Sequence, residues 1–218
     1  MSRRTEAVER LCDKGIIAVI RAKSSEQLLE VAGALLAGGV DCIEVTLTTP
    51  NALEVIGQCR AAMGARALIG VGSALSGEAT KQACDAGAQF VVSPIFDPAI
   101  IQAAHAADAP AVPGTFSPTE IHAATEAGAD LVKVFPAGRL GPGFFKDILA
   151  PMPHLKLTPT GGVNLDTAGE FIQAGAVTLA VGSALVDKKA VAAGDTATIQ
   201  DLAERFVRAV ADARAKTV

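Results

Sequence analysis

Short apolar runs recur along the chain at 15–21, 42–47, 68–72, 90–93, 111–113, 131–135, 156–160 and 178–181. They are nearly continuous rather than alternating, the pattern of strands buried on both faces in a parallel sheet. Helical stretches fall between them, at 24–37, 51–63, 77–86, 98–107, 117–127, 143–149 and 165–174. Start signals mark several: Pro50-Asn51, Asp97-Pro98, Ser117-Pro118 and Asn164-Leu165-Asp166. An amphipathic helix over 3–13 precedes the first strand, with Ala7, Val8 and Leu11 on one side and Gly15 as its stop. A second, over 196–214, closes the chain with Ile199, Leu202, Phe206, Val207 and Val210 apolar.

A weak repeat runs through the pattern. Ala37-Gly38-Gly39-Val40, Ala86-Gly87-Ala88, Ala127-Gly128-Ala129 and Ala174-Gly175-Ala176 each end a helix just before an even-numbered strand. Glycine there supplies a left-handed cap, and a repeat every two βα units suggests a cyclic arrangement. Together these predict one domain, residues 1–218, folded as an α/β (β/α)8 TIM barrel with an N-terminal and a C-terminal helix. A doubly wound open sheet is the alternative, but it carries a glycine fingerprint after its first strand. Arg21-Ala22-Lys23-Ser24 stands in that place.

The polar residues inside these runs carry the chemistry. In Asp130-Leu131-Val132-Lys133-Val134-Phe135-Pro136, strand alternation puts Leu131, Lys133 and Phe135 on one face. An ammonium placed inside the protein loses charge readily, and a neutral amine can attack a ketone to form an imine. A salt-bridged or snorkelling lysine is the alternative. In Cys42-Ile43-Glu44-Val45-Thr46-Leu47, Cys42, Glu44 and Thr46 would face the barrel interior. Glu44 is then either a structural partner of Lys133 or Arg21, or a general acid/base tuned by the lysine.

Chemistry in such barrels gathers at the C-terminal ends of the strands. Arg21 ends the first strand and either suits a carboxylate ligand or bridges to a helix. Gly70-Val71-Gly72-Ser73 ends the third, where glycine permits close backbone approach. Thr158-Pro159-Thr160-Gly161-Gly162-Val163-Asn164 ends the seventh and Val181-Gly182-Ser183-Ala184 the eighth. Loops after these two strands form the recurrent phosphate site of this architecture.

Composition narrows the partners. The 218 residues are 50% hydrophobic, and neither Tyr nor Trp occurs to stack on bases or sugars. A net charge of −4 argues against a nucleic-acid surface. No apolar run reaches membrane-spanning length without charges or glycines, and Met1–Glu6 has no apolar signal-peptide core. Cys12, Cys42, Cys59 and Cys84 lack CxxC pairing and read as thiols of a reducing, cytoplasmic compartment. His105, His122 and His154 fall away from the strand ends, so no catalytic metal or other cofactor is expected. A lysine nucleophile without metal points to imine chemistry. Two other classes remain open: a phosphosugar isomerase or epimerase with Glu44 as base, and a non-catalytic phosphometabolite-binding barrel.

Glu44-Val45-Thr46, Gly70-Val71-Gly72-Ser73, Val92-Ser93-Pro94, Pro113-Gly114, Val132-Lys133-Val134-Phe135-Pro136-Ala137 and Pro159-Thr160-Gly161-Gly162-Val163 occur in a telling order. The chain resembles the bacterial 2-keto-3-deoxy-6-phosphogluconate (KDPG) and 4-hydroxy-2-oxoglutarate (KHG) aldolases from about Gly15 to Leu185. The resemblance implies a class I aldolase acting on a phosphorylated 2-keto-3-deoxy sugar acid and releasing pyruvate, commonly as a homotrimer. It implies that Lys133 forms the Schiff base and Glu44 shuttles protons. Pro94 and Phe135 would border the pyruvyl group. Arg21 and the Gly72-Ser73 turn, with Thr46 nearby and Thr160 opposite, would hold the carboxylate region. Gly161, Gly162, Gly182 and Ser183 would bind the phosphate. Two departures stand out: Ser73 replaces the family's usual Thr, and Thr48 stands where some members carry Arg.

Overall fold

The computed structural model describes residues 1–21 and 24–216. Ala22 and Lys23, half of the run after the first strand, lie outside the described residues. The strands are β1 (Ile16–Ile20), β2 (Cys42–Thr46), β3 (Leu68–Gly72), β4 (Val91–Val92), β5 (Ala111–Val112), β6 (Gly114–Thr115), β7 (Val132–Val134), β8 (Leu157–Pro159) and β9 (Leu179–Val181). The helices are α1 (Arg3–Lys14), α2 (Ser25–Ala37), α3 (Ala52–Met63), α4 (Gly77–Asp85), α5 (Pro98–Ala106), α6 (Pro118–Glu126), α7 (Gly141–Leu149), α8 (Leu165–Gln173), α9 (Lys188–Ala193) and α10 (Thr196–Ala215).

Every strand pair is parallel. A six-stranded sheet runs β5-β4-β3-β2-β1-β9, and a three-stranded sheet runs β6-β7-β8. The eight expected strands therefore appear as nine segments in two sheets. Pro113 explains the extra segment. The ladder to β4 ends at Val112, and Pro113, whose backbone faces β7, has no N–H to donate on that side. Its carbonyl accepts from Lys133 N at 2.9 Å, which begins the pairing to β7. At the other junction a single parallel bridge joins Thr160, after β8, to Ala180 in β9.

Alternation along the strands builds two apolar layers. Ile43, Val45, Val132 and Val134 face the helices. Ile17, Cys42, Leu68, Phe90, Val112 and Leu131 point the other way and pack on one another inside the strands. Ala7 and Leu11 of α1 join this inner layer, so the amphipathic first helix seals the N-terminal end. Burying a leucine fully contributes about 1.5–3 kcal/mol. Arg4 and Arg10 lock the helix in place through ion pairs to Asp130 (2.7 Å) and Asp41 (2.8 Å). Cys42 and Cys59 are buried thiols, and Cys12 and Cys84 are half-buried. Burial holds Cys59 and Cys84 up at about 11, far from reactive thiolates. With one end closed, the opposite end, where the strands finish, is left as the open mouth.

Candidate active site

Lys133 points into the inner layer and is only 6% exposed. Its register neighbours are Gly114 on β6 and Thr158 on β8. Glycine on one flank lets the Ser93-Pro94 backbone pack close, where a Cβ would overlap the Pro94 carbonyl carbon. The Nζ lies 4.9 Å from the centre of the Phe135 ring at the rim. That contact favours the ammonium, by about 2 kcal/mol where the cation is desolvated. Burial acts the other way and dominates: the lysine is held below its usual range first by desolvation and then by the nearby Arg21 cation, against the pull of Glu44.

Glu44, on β2, is 2% exposed. Its Oε2 is buried with no hydrogen-bond partner in the protein. Desolvation pushes its carboxyl up, while Lys133 and then Arg21 pull it down. The acid and the amine are thus shifted toward each other, the pattern that suits a base and a nucleophile working at neutral pH.

Both groups line a cavity of about 340 Å³ at the strand ends, a size fit for a small metabolite. Arg21, Ser73, Pro94, Phe135 and Thr160 share its wall. Ser73 holds a left-handed backbone, φ 62, which turns the chain sharply after β3. The Thr160 hydroxyl is buried without a protein partner, so a polar ligand would satisfy it. The rest of the rim is a glycine-rich cradle. Gly161 and Gly162 both adopt positive φ, 79 and 85, and Gly182 and Ser183 face them across the cavity. A Cβ on Gly182 would sit 3.9 Å from Arg21 Nη1, so the guanidinium borders this cradle.

A family model described as KDPG and KHG aldolase matches residues 8–202. The chain belongs to the KDPG and KHG aldolase family. It is 37% identical over 206 residues to the 2-dehydro-3-deoxy-phosphogluconate aldolase of Treponema pallidum, covering 94% of this chain and 96% of that one. A solved structure described as native KDPGal superposes with a TM-score of 0.86 at 29% identity, covering 92% of this chain and 96% of the other. The Legionella pneumophila KDPG aldolase, with pyruvate captured as a covalent carbinolamine, superposes at 0.82 with 29% identity over 88% of this chain and 93% of its own.

Of the residues that the family resemblance singled out, Lys133, Glu44, Arg21, Ser73, Pro94, Phe135, Thr160, Gly161, Gly162, Gly182 and Ser183 line the cavity. Thr46 and Gly72 do not. The Thr46 hydroxyl is fully buried and turned to Thr48 Oγ1 at 2.8 Å. Gly72 lies behind Glu44, where its missing side chain makes room for the carboxylate.

One contact at the rim lay beyond sequence reasoning. The Pro136–Gly138 turn docks on the cradle through Ala137 N to Thr160 O (2.8 Å) and Gly138 N to Gly161 O (2.7 Å). A Cβ on Gly138 would come 3.0 Å from Gly162 Cα. The N-terminus of α8, next to this loop, is capped by its own side chain: Asn164 Oδ1 accepts from Asp166 N and Thr167 N at 3.0 Å each. Among the described residues no group of three His, Cys, Asp or Glu side chains is placed to hold a metal ion.

Proposed function

We propose that this protein is a class I aldolase cleaving 2-dehydro-3-deoxy-6-phosphogluconate to pyruvate and glyceraldehyde 3-phosphate. The observation that carries the reading is the pairing of a desolvated amine, Lys133, with a buried carboxyl, Glu44, in one cavity ringed by an anion cradle. Lys133 attacks the C2 ketone, and Glu44 gives and takes the protons as the carbinolamine loses water to an imine. The protonated imine draws electrons from C3. Glu44 removes the C4 hydroxyl proton, the C3–C4 bond breaks, and the aldehyde leaves. The enamine is reprotonated at C3 and hydrolysed, which frees pyruvate and Lys133.

Arg21, Ser73 and Thr160 hold the substrate carboxylate region, and Pro94 and Phe135 flank the pyruvyl group. Thr46 supports the wall from behind. Gly161, Gly162, Gly182 and Ser183 present backbone amides to the phosphate. Reduction with borohydride in the presence of pyruvate tests the mechanism: mass spectrometry is expected to place a pyruvyl adduct on Lys133. An unmodified lysine with turnover but no pyruvate would turn the assignment toward isomerase or epimerase chemistry. The likeness to the native KDPGal structure supports a second substrate, the 6-phosphogalactonate epimer. Pyruvate release from the two epimers and from 4-hydroxy-2-oxoglutarate ranks them.

We also read the two sheets as one closed eight-stranded barrel, with β5 and β6 a single strand interrupted at Pro113 and the Thr160–Ala180 bridge as the second seam. Among the described residues no helix is long and apolar enough to cross a membrane, in keeping with a cytoplasmic enzyme. A homotrimer is supported by an apolar patch on neighbouring loops, Leu75 (60% exposed), Ile95 (43%) and Phe116 (46%).

A further inference from the structure

A second cavity, of about 350 Å³, opens beside the catalytic one. The two share Val19, Arg21 and Ser183, so the anion cradle is a junction rather than the end of the site. Beyond it the walls come from α9 and the segment before it, Val186, Val191 and Ala192 with Lys188 at the edge, and from Gln27 of α2, whose amide nitrogen is spent on Val191 O at 3.3 Å. These walls offer little to the hydroxyls of a sugar acid, whose polar groups would be desolvated against aliphatic side chains. The charges of the lining are Arg21 and Lys188, both positive. The nearest acid in sequence, Asp187, is turned to its own helix, its Oδ1 accepting from Lys189 N and Ala190 N at 2.9 Å each. The chemistry of the chamber is thus an apolar passage ending at a cation.

The geometry points to a further activity: reversible aldol cleavage of unphosphorylated 4-hydroxy-2-oxo dioic acids longer than hydroxyoxoglutarate. The methylene chain of the aldehyde half lies along Val186, Val191 and Ala192, and its terminal carboxylate meets Lys188. The step needs no new reagent. Lys133 forms the imine at C2, Glu44 takes the C4 hydroxyl proton, and the C3–C4 pair flows into the imine. An ω-carboxy aldehyde leaves, and hydrolysis of the protonated enamine releases pyruvate. This rests on the aldolase reading above, since the same amine and acid perform it.

The test compares pyruvate release from 4-hydroxy-2-oxooctanedioate and from 2-dehydro-3-deoxy-6-phosphogluconate, in wild type and two α9 variants. Wild type is expected to cleave both. Ala192→Phe fills the passage and Lys188→Glu reverses its charge. Each is expected to lower kcat/KM for the dioate about tenfold or more, chiefly through KM, as pocket-filling changes do. Each should leave the phosphorylated substrate within about twofold. Both side chains are exposed on a surface helix, so folding is not at stake. Cleavage of the phosphorylated substrate without cleavage of the dioate would overturn the inference and leave the aldolase reading standing. Equal losses on both substrates would overturn it as well, because the chamber would then serve no separate ligand. Failure to release pyruvate from either would sink both readings.

Discussion

A side chain on Gly72 would overlap the carboxylate of Glu44. The bare glycine at the end of β3 is therefore what admits the acid to the cavity. Glu44 lines the cavity, so the space open to a displaced carboxylate is the one the substrate needs. Gly72→Ala should push the carboxylate off its position while leaving Lys133, four strands away in the chain, in place. A positioned general acid/base is worth about 10²–10⁴ in rate, so kcat for pyruvate release should fall about 100-fold or more. Steady-state kinetics checks this. A variant within about threefold of wild type would mean that no proton transfer depends on Glu44 at this position.

Glu44 also leaves a mark on stability. Its folded pKa is raised above the usual 4.5 by desolvation, against the lowering by Lys133 and Arg21. Between 4.5 and the raised value the folded protein holds more protons than the unfolded chain. Stability contributed by this group is therefore full below 4.5 and declines as pH climbs through the folded pKa. Glu44→Gln removes the titration. Urea unfolding should show the variant gaining on wild type as pH rises from 4.5, with the gain levelling once wild-type Glu44 is ionised. A difference independent of pH would contradict the burial argument.

Lys133 should display the opposite displacement. Desolvation and Arg21 lower it from the usual 10.5, and Glu44 partly restores it. Only the neutral amine attacks a ketone. The rate of borohydride trapping with pyruvate should thus inflect below 10.5. In Glu44→Gln the favourable negative charge is gone, and the inflection should move lower still. Movement upward would mean that a partner other than Glu44 sets the charge on the amine.

Much of this was legible before any coordinates. The two-residue alternation of 42–47 and 131–135 put Glu44 and Lys133 on one face, and burial enforces that alternation because a slip would expose Val45 and Val134. The Gly-Gly and Gly-Ser loops were legible because their place after particular strands carries the meaning. What escaped is contact between distant segments. Nothing local in Pro136-Ala137-Gly138 announces that it rests on Gly161 and Gly162. The split at Pro113 depends on which neighbour each side of the strand meets. Thr46 matched the motif by type and face, yet its hydroxyl is spent on Thr48, two residues on. The six-residue α9 was missed because Lys188–Ala193 is too short to show a period.

The Gly138 contact carries its own consequence. A methyl added there would stand 3.0 Å from Gly162 Cα and 3.2 Å from Gly161 O. Backbone cannot swing aside as a side chain can, so Gly138→Ala should tilt the cradle by a few tenths of an ångström. Glu44 lies on β2, and Lys133 sits five residues earlier on β7 with its ladder to β6 and β8 intact, so both should keep their places. KM for the phosphorylated substrate is expected to rise about tenfold, given that a shift of about 1 Å can cost about 100-fold. Trapping of pyruvate, which has no phosphate, should keep its wild-type rate. Loss of trapping would mean that the turn supports the lysine instead.

The apolar rim bears on assembly. Leu75, Ile95 and Phe116 follow β3, β4 and β6. They are held on adjacent loops because Ala74 N donates to Val92 O (3.3 Å) and Gly114 N to Ile95 O (3.1 Å). Three large side chains this exposed on contiguous loops are costly in water, at about 25 cal/mol for each Å² of apolar area. Association of three copies through this patch would bury them. Phe116→Asp places a charge where the interface excludes water, and desolvating that charge without a partner opposes association strongly. Light scattering should give wild type a mass near three times 22.1 kDa, and the variant a mass near one. Phe116 lies outside the catalytic cavity, so the monomeric variant should still form the Lys133–pyruvate adduct. A variant that stayed trimeric would move the interface elsewhere on the surface.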